Sequence, residues 1–600
     1  MTGAWDRDRL KNRYHVSYPG SDKGGGMPRA SRYVGFVMLL LIALVGCAPA
    51  AQRPTARGGD GGAQPPAGPK RITAAIMGDP AMLSYAVVAA GTGGTRGLGE
   101  VELLMHAGTA VLGADGRLHP QLAQDSPTLE NGLWKLLPDG RMETTWQLRP
   151  DGKWHDGTPV TAADLLFTVQ MGMDKDLPLL RHPAWDSVEA ADAVDDRTVT
   201  VKWKRPYIEA DMLFTQEILI IFPRHLLEPT YTGNKAALFD LPQWTTEYVG
   251  AGPFRLKELV RNSHMTLTAF DGYILGRPKV DEILIRFIMD PNTLIANLLA
   301  GEVEMTIGRG MNIEQGLQVR EQWKAGRMEA SPGSWIAHYP QHLTPNPGVL
   351  GDVRFRRALV HALDRQEMSD TIQAGLAPVA HGWMEVTRPE FRELEPSIVK
   401  YAYDPRRSAQ LIEELGFQRA ADGFYVAGGG RDGAGQRLSV ESRTNAGDDA
   451  KEKMLFSSAD YWKRVGVDVE VVIVPRQQAS DREYRATYPG FDLVRQPFEP
   501  ERFKASESPL PENGFRGKNR TRYMNAEYDA LTERYFTSIP VPERNAVLAQ
   551  IVHHISDNVL AIGVLYGPEP TLIGNRLVNV SAPGAIESDE TWNGHEWDVK

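Results

Sequence analysis

Trp146-Gln147-Leu148-Arg149-Pro150-Asp151-Gly152-Lys153-Trp154-His155-Asp156-Gly157-Thr158-Pro159-Val160-Thr161-Ala162-Ala163-Asp164 is the most legible stretch of the chain. Trp146 to Arg149 reads as a strand and Pro150-Asp151-Gly152 as a turn. Thr161, with Asp164 three residues on, forms a capping box that opens a helix. Strand, turn and helix in such quick succession point to a mixed α/β protein. His155-Asp156-Gly157 suggests acid/base chemistry at first sight. It sits in the strand-to-helix turn, however, where Asp and Gly satisfy turn geometry, so the structural reading wins.

The same alternation continues outward. Asp404 is an N-cap with Pro405 at the first helical position, and Ser408, Leu411, Ile412 and Leu415 repeat at helical spacing until Gly416 stops the helix. From Phe355, the residues Ala358, Leu359, Ala362 and Leu363 form one buried stripe, after which Asp364 and Glu367 start a second helix. Gly466 ends a helix, and Val467, Val469, Val471 and Ile473 alternate as a strand up to Pro475. His553-His554 lies on a periodic helix where adjacent side chains point to different faces, so a shared metal is not indicated. The glycine-rich run from Gly91 to Gly97 fits neither a dinucleotide nor a phosphate loop. No G-x-S-x-G elbow occurs, and Glu302 and Glu304 are expected to alternate on a strand.

The N-terminal region reads as an address. Tyr33 to Gly46 is almost wholly apolar, follows Arg29 and Arg32, and ends in Leu44-Val45-Gly46-Cys47. That is the layout of a secretory signal, too short to span a bilayer comfortably. The tetrapeptide resembles the bacterial lipobox, which implies a diacylglyceryl group on Cys47, the only cysteine of the chain. Residues 1–26 are expected to be a mis-assigned leader. They are polar and unperiodic, Met27 is the better start, and Asp22-Lys23-Gly24-Gly25-Gly26 corresponds to a purine-rich, ribosome-binding type of coding stretch. Residues 27–46 are then the signal peptide and 47–70 a lipidated flexible tether of Ala, Pro, Gly, Gln and Arg.

Composition narrows the function. Residues 1–46 carry seven basic and three acidic side chains, so removing them takes the net charge from −10 to −14. Such a surface argues against nucleic acid. A single cysteine excludes a disulfide framework and a multi-cysteine metal site. A body of roughly 530 residues calls for more than two compact regions.

Five stretches in fixed order then carry a resemblance: Trp146 to Asp164; Gly250-Ala251-Gly252-Pro253-Phe254 with Gly276 to Glu282; Gly301-Glu302-Val303-Glu304; Asp352 to Leu359 with Asp364-Arg365; and Tyr403-Asp404-Pro405 with Leu415-Gly416-Phe417. They are similar to the extracellular solute-binding family 5, which includes the oligopeptide- and dipeptide-binding proteins of ABC importers. The resemblance implies an α/β, two-lobed clamp of the type II periplasmic-binding-protein kind, with mixed sheets and a smaller subdomain in the N-terminal lobe. Lobe I would comprise residues 71–335 plus 563–600, and lobe II residues 336–562. It further implies a monomeric binding lipoprotein without enzymatic activity, cofactor or metal. Such a protein is anchored by its lipid at the periplasmic or outer face of a membrane, and hands a solute to ABC permease and ATPase subunits.

Peptide-binding members anchor the ligand's amino group on an acidic residue in a segment whose nearest counterpart here is Phe491 to Phe503. Ungapped alignment places Gln496 at the anchoring position, beside Arg495, which would repel an ammonium. A shifted alignment brings Asp492 or Glu499 into the role. Peptide is the leading ligand, with another organic solute (an opine, sugar or acidic metabolite) or a tethered ligand sensor as alternatives. Trp383 and Tyr339 are the candidate aromatic walls, Arg495 and Gln496 the candidate polar anchors. Mass spectrometry of the native precursor is expected to yield no peptide from residues 1–26.

Overall fold

The computed structural model describes residues 68–92, 95–427, 435–584 and 588–600. Cys47 and the expected leader and signal lie outside the described residues, as does the tether up to residue 67. Ten strands make the main sheet: β1 (Arg71–Ile76), β2 (Phe254–Val260), β3 (His264–Ala269), β4 (Glu282–Phe287), β5 (Met305–Thr306), β6 (Gly326–Pro340), β7 (Ser439–Asn445), β8 (Asp468–Val474), β9 (Phe491–Gln496) and β10 (Ile562–Gly574). Their order is β8-β7-β9-β6-β10-β5-β1-β4-β3-β2. Parallel pairs (β1 with β4 and β5, β7 with β8 and β9) mix with antiparallel ones. No helix among the described residues is long and apolar enough to cross a membrane.

The centre of this sheet is the antiparallel pair β6 and β10, of fifteen and thirteen residues. At about 3.3 Å per residue, β6 alone reaches roughly 50 Å, more than twice an ordinary strand. One end of the pair, Gly326 to Ser331 opposite Glu569 to Gly574, continues into β5 and β1. The other end, Trp335 to His338 opposite Ile562 to Tyr566, continues into β9. Between them the register shifts at Pro332/Trp335, with Pro332 facing Pro568. Proline donates no backbone N–H, so the ladder is interrupted there by sequence. Gly333 meets Gly567 so closely that a Cβ at Gly333 would lie 2.3 Å from the Gly567 carbonyl oxygen.

Separate cores lie on the two sides of this break. Phe355, Leu359, Trp462, Phe491 and Leu565 pack together on the β9 side, and Ile76, Leu104, Ile283 and Trp597 on the β1 side. The largest core joins a four-stranded antiparallel sheet (Trp134–Leu136, Met142–Gln147, Thr198–Trp203, Val188–Asp195) to the helices Ala526–Thr537 and Val541–Asp557. There Tyr207 stacks on Phe536 at 5.8 Å, and Phe536 O accepts the Ile208 N–H at 3.0 Å.

Each motif read from the sequence has a local structural task. The strand starts earlier than the Trp146–Arg149 reading, at Met142, and ends at Gln147, because the Leu148 and Arg149 N–H groups turn to the carbonyls of Arg197 and Leu122. Trp146 and Trp154 are fully buried, and Thr161 donates its N–H to Asp164 at 2.8 Å, as the capping box requires. His155 ties the first motif to the second. Its Nδ1 accepts the Gly250 N–H at 3.2 Å, and its Nε2 lies 3.0 Å from Gly252 O as donor. Burial holds this imidazole neutral, with its pKa lowered to about 4. Asp404 caps the helix Pro405–Glu414 by accepting from the Arg406 and Arg407 N–H groups.

The arginine-rich fourth motif is a staple. Arg356 donates to the carbonyls of Leu350, Gly351, Asn558 and Val559, and Arg365 to those of Ala380, Tyr401 and Gly563. Glu302 and Glu304 precede the short strand β5 instead of lying on it. Glu304 accepts the Thr73 N–H and pairs with Arg576, so that its carboxylate joins β1 to the segment that follows β10.

Gly250 is required by close approach, since a Cβ there would lie 2.1 Å from the Met105 carbonyl oxygen. Gly250→Ala is therefore expected to cost about 1–3 kcal/mol in denaturant unfolding. Gly348→Ala, whose Cβ would meet nothing within 4 Å, is expected to stay within about 0.5 kcal/mol of the parent.

Candidate functional site

A cavity of about 650 Å³ opens where the register of β6 and β10 shifts. Ser331, Gly333 and Ser334 of β6 and Glu569, Pro570 and Thr571 of β10 form its floor. Glu100, on the helix Leu98–Met105, and the loop from Gly308 to Asn312 contribute one wall. The opposite wall comes from Glu385 and Thr387, from Asp448 and Asp449 at the start of the helix Asp449–Arg464, and from Arg495 and Pro497 at and after the end of β9. Asp589 and Glu590 return from the C-terminal segment to close the rim. The size suits a small solute.

Local contacts aim these groups. The Glu385 loop is pinned to β10: the Tyr566 hydroxyl lies 2.5 Å from Gly382 O and 2.6 Å from Met384 O, and the Ala380 N–H donates to Val564 O at 3.2 Å. Asp448 caps its helix through the Lys451 N–H at 3.1 Å. Gly308 has φ +65°, and a Cβ there would sit 2.6 Å from Gly97 Cα and 2.9 Å from Glu100 Oε1. Only glycine lets this loop pass between Glu100 and Glu590, whose carboxylate accepts the Gly308 N–H.

The cavity is polar and asymmetric in charge, with seven carboxylates against the guanidinium groups of Arg96, Arg309 and Arg495. Glu569 sits between two of these, 3.2 Å from Arg495 and 3.5 Å from Arg309. Glu590 is 3% exposed, and burial together with the neighbouring Glu100 pushes its pKa up to about 8. Burial also raises that of Glu100, with Glu569 adding to the effect and Arg309 opposing it.

Arg495 lines the cavity, where its guanidinium donates to Gly567 O and Glu569, both at 3.2 Å. Gln496 faces away and accepts from Arg502. Trp383, 1% exposed, donates its indole N–H to Pro497 O at 3.1 Å and packs among Trp335, Phe498 and Phe503. Tyr339, 2% exposed, lies nearly parallel to Phe503. Neither ring lines the cavity, and no aromatic side chain among the described residues does. Both alternative anchors are held by internal cations: Asp492 by Arg520 at 2.6 Å, with Arg443 at 3.7 Å, and Glu499 by Arg502 at 2.5 Å and Lys518 at 2.6 Å.

Sequence reading did not find Glu100, Arg309, Asp589 or Glu590, which come together only through the tertiary fold. Glu569 had a usable signal. An acid held between two prolines, Pro568-Glu569-Pro570, in an otherwise apolar strand calls for an explanation.

Two halves of one sheet joined by two long strands, with a polar cavity where the register of that pair shifts, define the two-lobed fold of a type II periplasmic binding protein. Residues 117–502 match the family described as bacterial extracellular solute-binding proteins, family 5, and the chain belongs to that family. Membership marks it as an exported protein. A Brucella ovis protein named for ABC-transporter peptide binding is 26% identical over 294 residues, 48% of this chain and 51% of that one. The chain thus spans about half the length of the curated Brucella relatives it matches. Among solved structures, the oligopeptide-binding protein of Thermus thermophilus, complexed with a pentapeptide, has a TM-score of 0.70 at 23% identity, covering 88% of this chain and 96% of its own. NikA of Brucella suis, in complex with Fe(III)-EDTA, has a TM-score of 0.71 at 18% identity, covering 88% and 100%. At these identities the two structures establish the fold.

Because the folded pKa of Glu590 lies above its ordinary 4.5, the folded state holds the proton more tightly. Its contribution to stability is full below pH 4.5 and is lost as pH rises through about 8. Unfolding free energies measured across this range are expected to fall less steeply in Glu590→Gln than in the parent.

Proposed function

We propose that this chain is the substrate-binding component of an ABC importer. It encloses a solute, most simply a peptide, in the cavity at the β6–β10 register shift and presents the closed form to a membrane permease and its ATPase. The observation that carries this is the interruption of the β6–β10 ladder. Two strands pass from one half of the main sheet to the other, and both carry a proline and a glycine where the ladder is interrupted. On this reading the lobes are residues 71–335 plus 563–600 and residues 336–562, and the crossing strands are the hinge. A solute touching both walls binds the closed state better than the open one, and that difference in affinity drives closure.

Peptide is favoured by the relatives: the Brucella protein is named for peptide binding, and the Thermus structure holds a pentapeptide. The NikA complex with Fe(III)-EDTA shows that this fold also serves other solutes, so the peptide assignment rests on the relatives and not on the fold. Arg495 is proposed to contact the solute, and Trp383, Tyr339 and Gln496 to keep the contacting segment in place from behind. Lipidation of Cys47 would anchor the clamp on a tether of about 23 residues, whose root-mean-square span is roughly 25 Å. That confinement raises the local concentration at the permease.

A mixed pentapeptide library at about 100 times the dissociation constant is expected to stabilise the protein by about 2.7 kcal/mol, seen as a rise in Tm. Thr387→Trp, which fills the cavity from the Glu385 loop, is expected to abolish the rise while leaving the unliganded Tm unchanged. Stabilisation by Fe(III)-EDTA and not by peptides would overturn the peptide assignment.

A further inference from the structure

Within the cavity, charge is distributed unevenly. Glu569 is matched by Arg309 and Arg495. On the wall beside it, Glu100 and Glu590 converge on the backbone of Gly308 from two different parts of the chain, with Asp589 next to them on the cavity surface. Two independent features hold this convergence in place. Gly308 tolerates no side chain, and the Thr591 hydroxyl donates to the Glu100 carbonyl at 2.7 Å, locking the C-terminal segment against the helix Leu98–Met105. Two carboxylates brought this close in a largely buried wall repel one another unless a proton or a cation lies between them.

We propose that the cavity selects a solute carrying an ammonium or guanidinium group, and that Glu100 and Glu590 are the specificity-determining residues that receive it. The proposal rests on the reading of the cavity as a solute site and adds the charge class of the solute. In the empty protein the pair shares a proton, consistent with the raised pKa of both carboxyls. The groups facing the pair are Arg309 and Gly308 from the loop after β5, Glu569 from β10, Asp589, and the Tyr85 hydroxyl, itself pushed up by burial, Glu100 and Asp589. When the cation enters, the carboxylic acid loses its proton to the buffer, and two carboxylates surround one positive charge. Binding at neutral pH therefore releases up to about one proton, and affinity for the cation rises by up to about tenfold per pH unit below pH 8.

Isothermal titration in chelator-free buffer of the N-acetylated peptides Ala-Lys-Ala-Lys-Ala, Ala-Ala-Ala-Ala-Ala and Ala-Glu-Ala-Glu-Ala, whose side chains are then their only sources of an ammonium group, and of spermidine tests this. The lysine peptide is expected to bind at least about tenfold tighter than the other two peptides, with a heat at pH 7 that depends on the ionisation enthalpy of the buffer. In Glu100→Gln/Glu590→Gln, checked for an unchanged circular dichroism spectrum, both the preference and the buffer dependence are expected to disappear. The isosteric Glu590→Gln alone, which keeps the Gly308 acceptor, is expected to remove the buffer dependence. Spermidine binding that is lost in the same variant, without peptide binding, would assign the cation to a free amine. Equal or tighter binding of the alanine or glutamate peptide, or a lysine preference that survives the double substitution, would overturn the charge assignment and leave solute binding standing. Failure of all four probes would also overturn it. Whether the cavity binds solute at all is then decided separately, by comparing material co-purified with the parent and with Thr387→Trp under native mass spectrometry.

Discussion

Everything in this molecule hangs on one antiparallel pair. β6 and β10 are the strands through which the β1 side and the β9 side of the sheet share hydrogen bonds, and each side carries its own apolar core. A continuous ladder of that length would be stiff. The prolines at 332 and 568 remove donors from its middle, and Gly333 against Gly567 lets the two backbones touch there. The residues around this interruption also line the cavity: Ser331, Gly333 and Ser334 from β6 and Pro568 and Glu569 from β10.

The cavity is built by arms that reach it from distant parts of the chain, so its precision depends on how those arms are fixed. The fixings are mostly hydrogen bonds from buried side chains to backbone carbonyls. Arg365 and Tyr566 hold the loop that carries Glu385 against β10, and Arg356 holds the segment leading into β10. A guanidinium with four carbonyl partners has no need of a counter-ion to satisfy its donors, and it satisfies acceptors that the turning backbone would otherwise leave unmet. His155 does the same on a smaller scale between the Trp154 turn and Gly250–Gly252.

Electrostatics inside the cavity follow from burial more than from count. Arg495 read alone is a positive group that would repel an ammonium. Beside Glu569 it is neutralised, and the carboxylates across the rim set the sign of the field. Asp492 and Glu499, either of which could anchor an amino terminus on sequence grounds, are already bound to Arg520, Lys518 and Arg502. Freeing Asp492 would leave the buried Arg443 without its carboxylate partner, a cost an ordinary ligand contact does not return.

Local patterns in the sequence were sufficient for several helices and for the family resemblance. The capping box at Thr161 and Asp164, the N-cap at Asp404 and the stripe from Phe355 are set by backbone groups within a few residues, so their spacing alone reveals them. The boundary at Trp146 shifted because strand pairing with Thr198–Trp203 is a long-range matter. The aromatic residues Trp383 and Tyr339 show the limit of residue type as a guide. A large ring suits a ligand wall and a core equally well, and here neighbours from three segments bury it. What the sequence by itself determined is a set of local elements, the family resemblance and Cys47 as the only cysteine. What only the tertiary structure decided is which charges meet. Glu100, Gly308 and Glu590 are hundreds of residues apart along the chain, and it is the packing of the helix Leu98–Met105, the loop after β5 and the C-terminal segment against one another that brings them together.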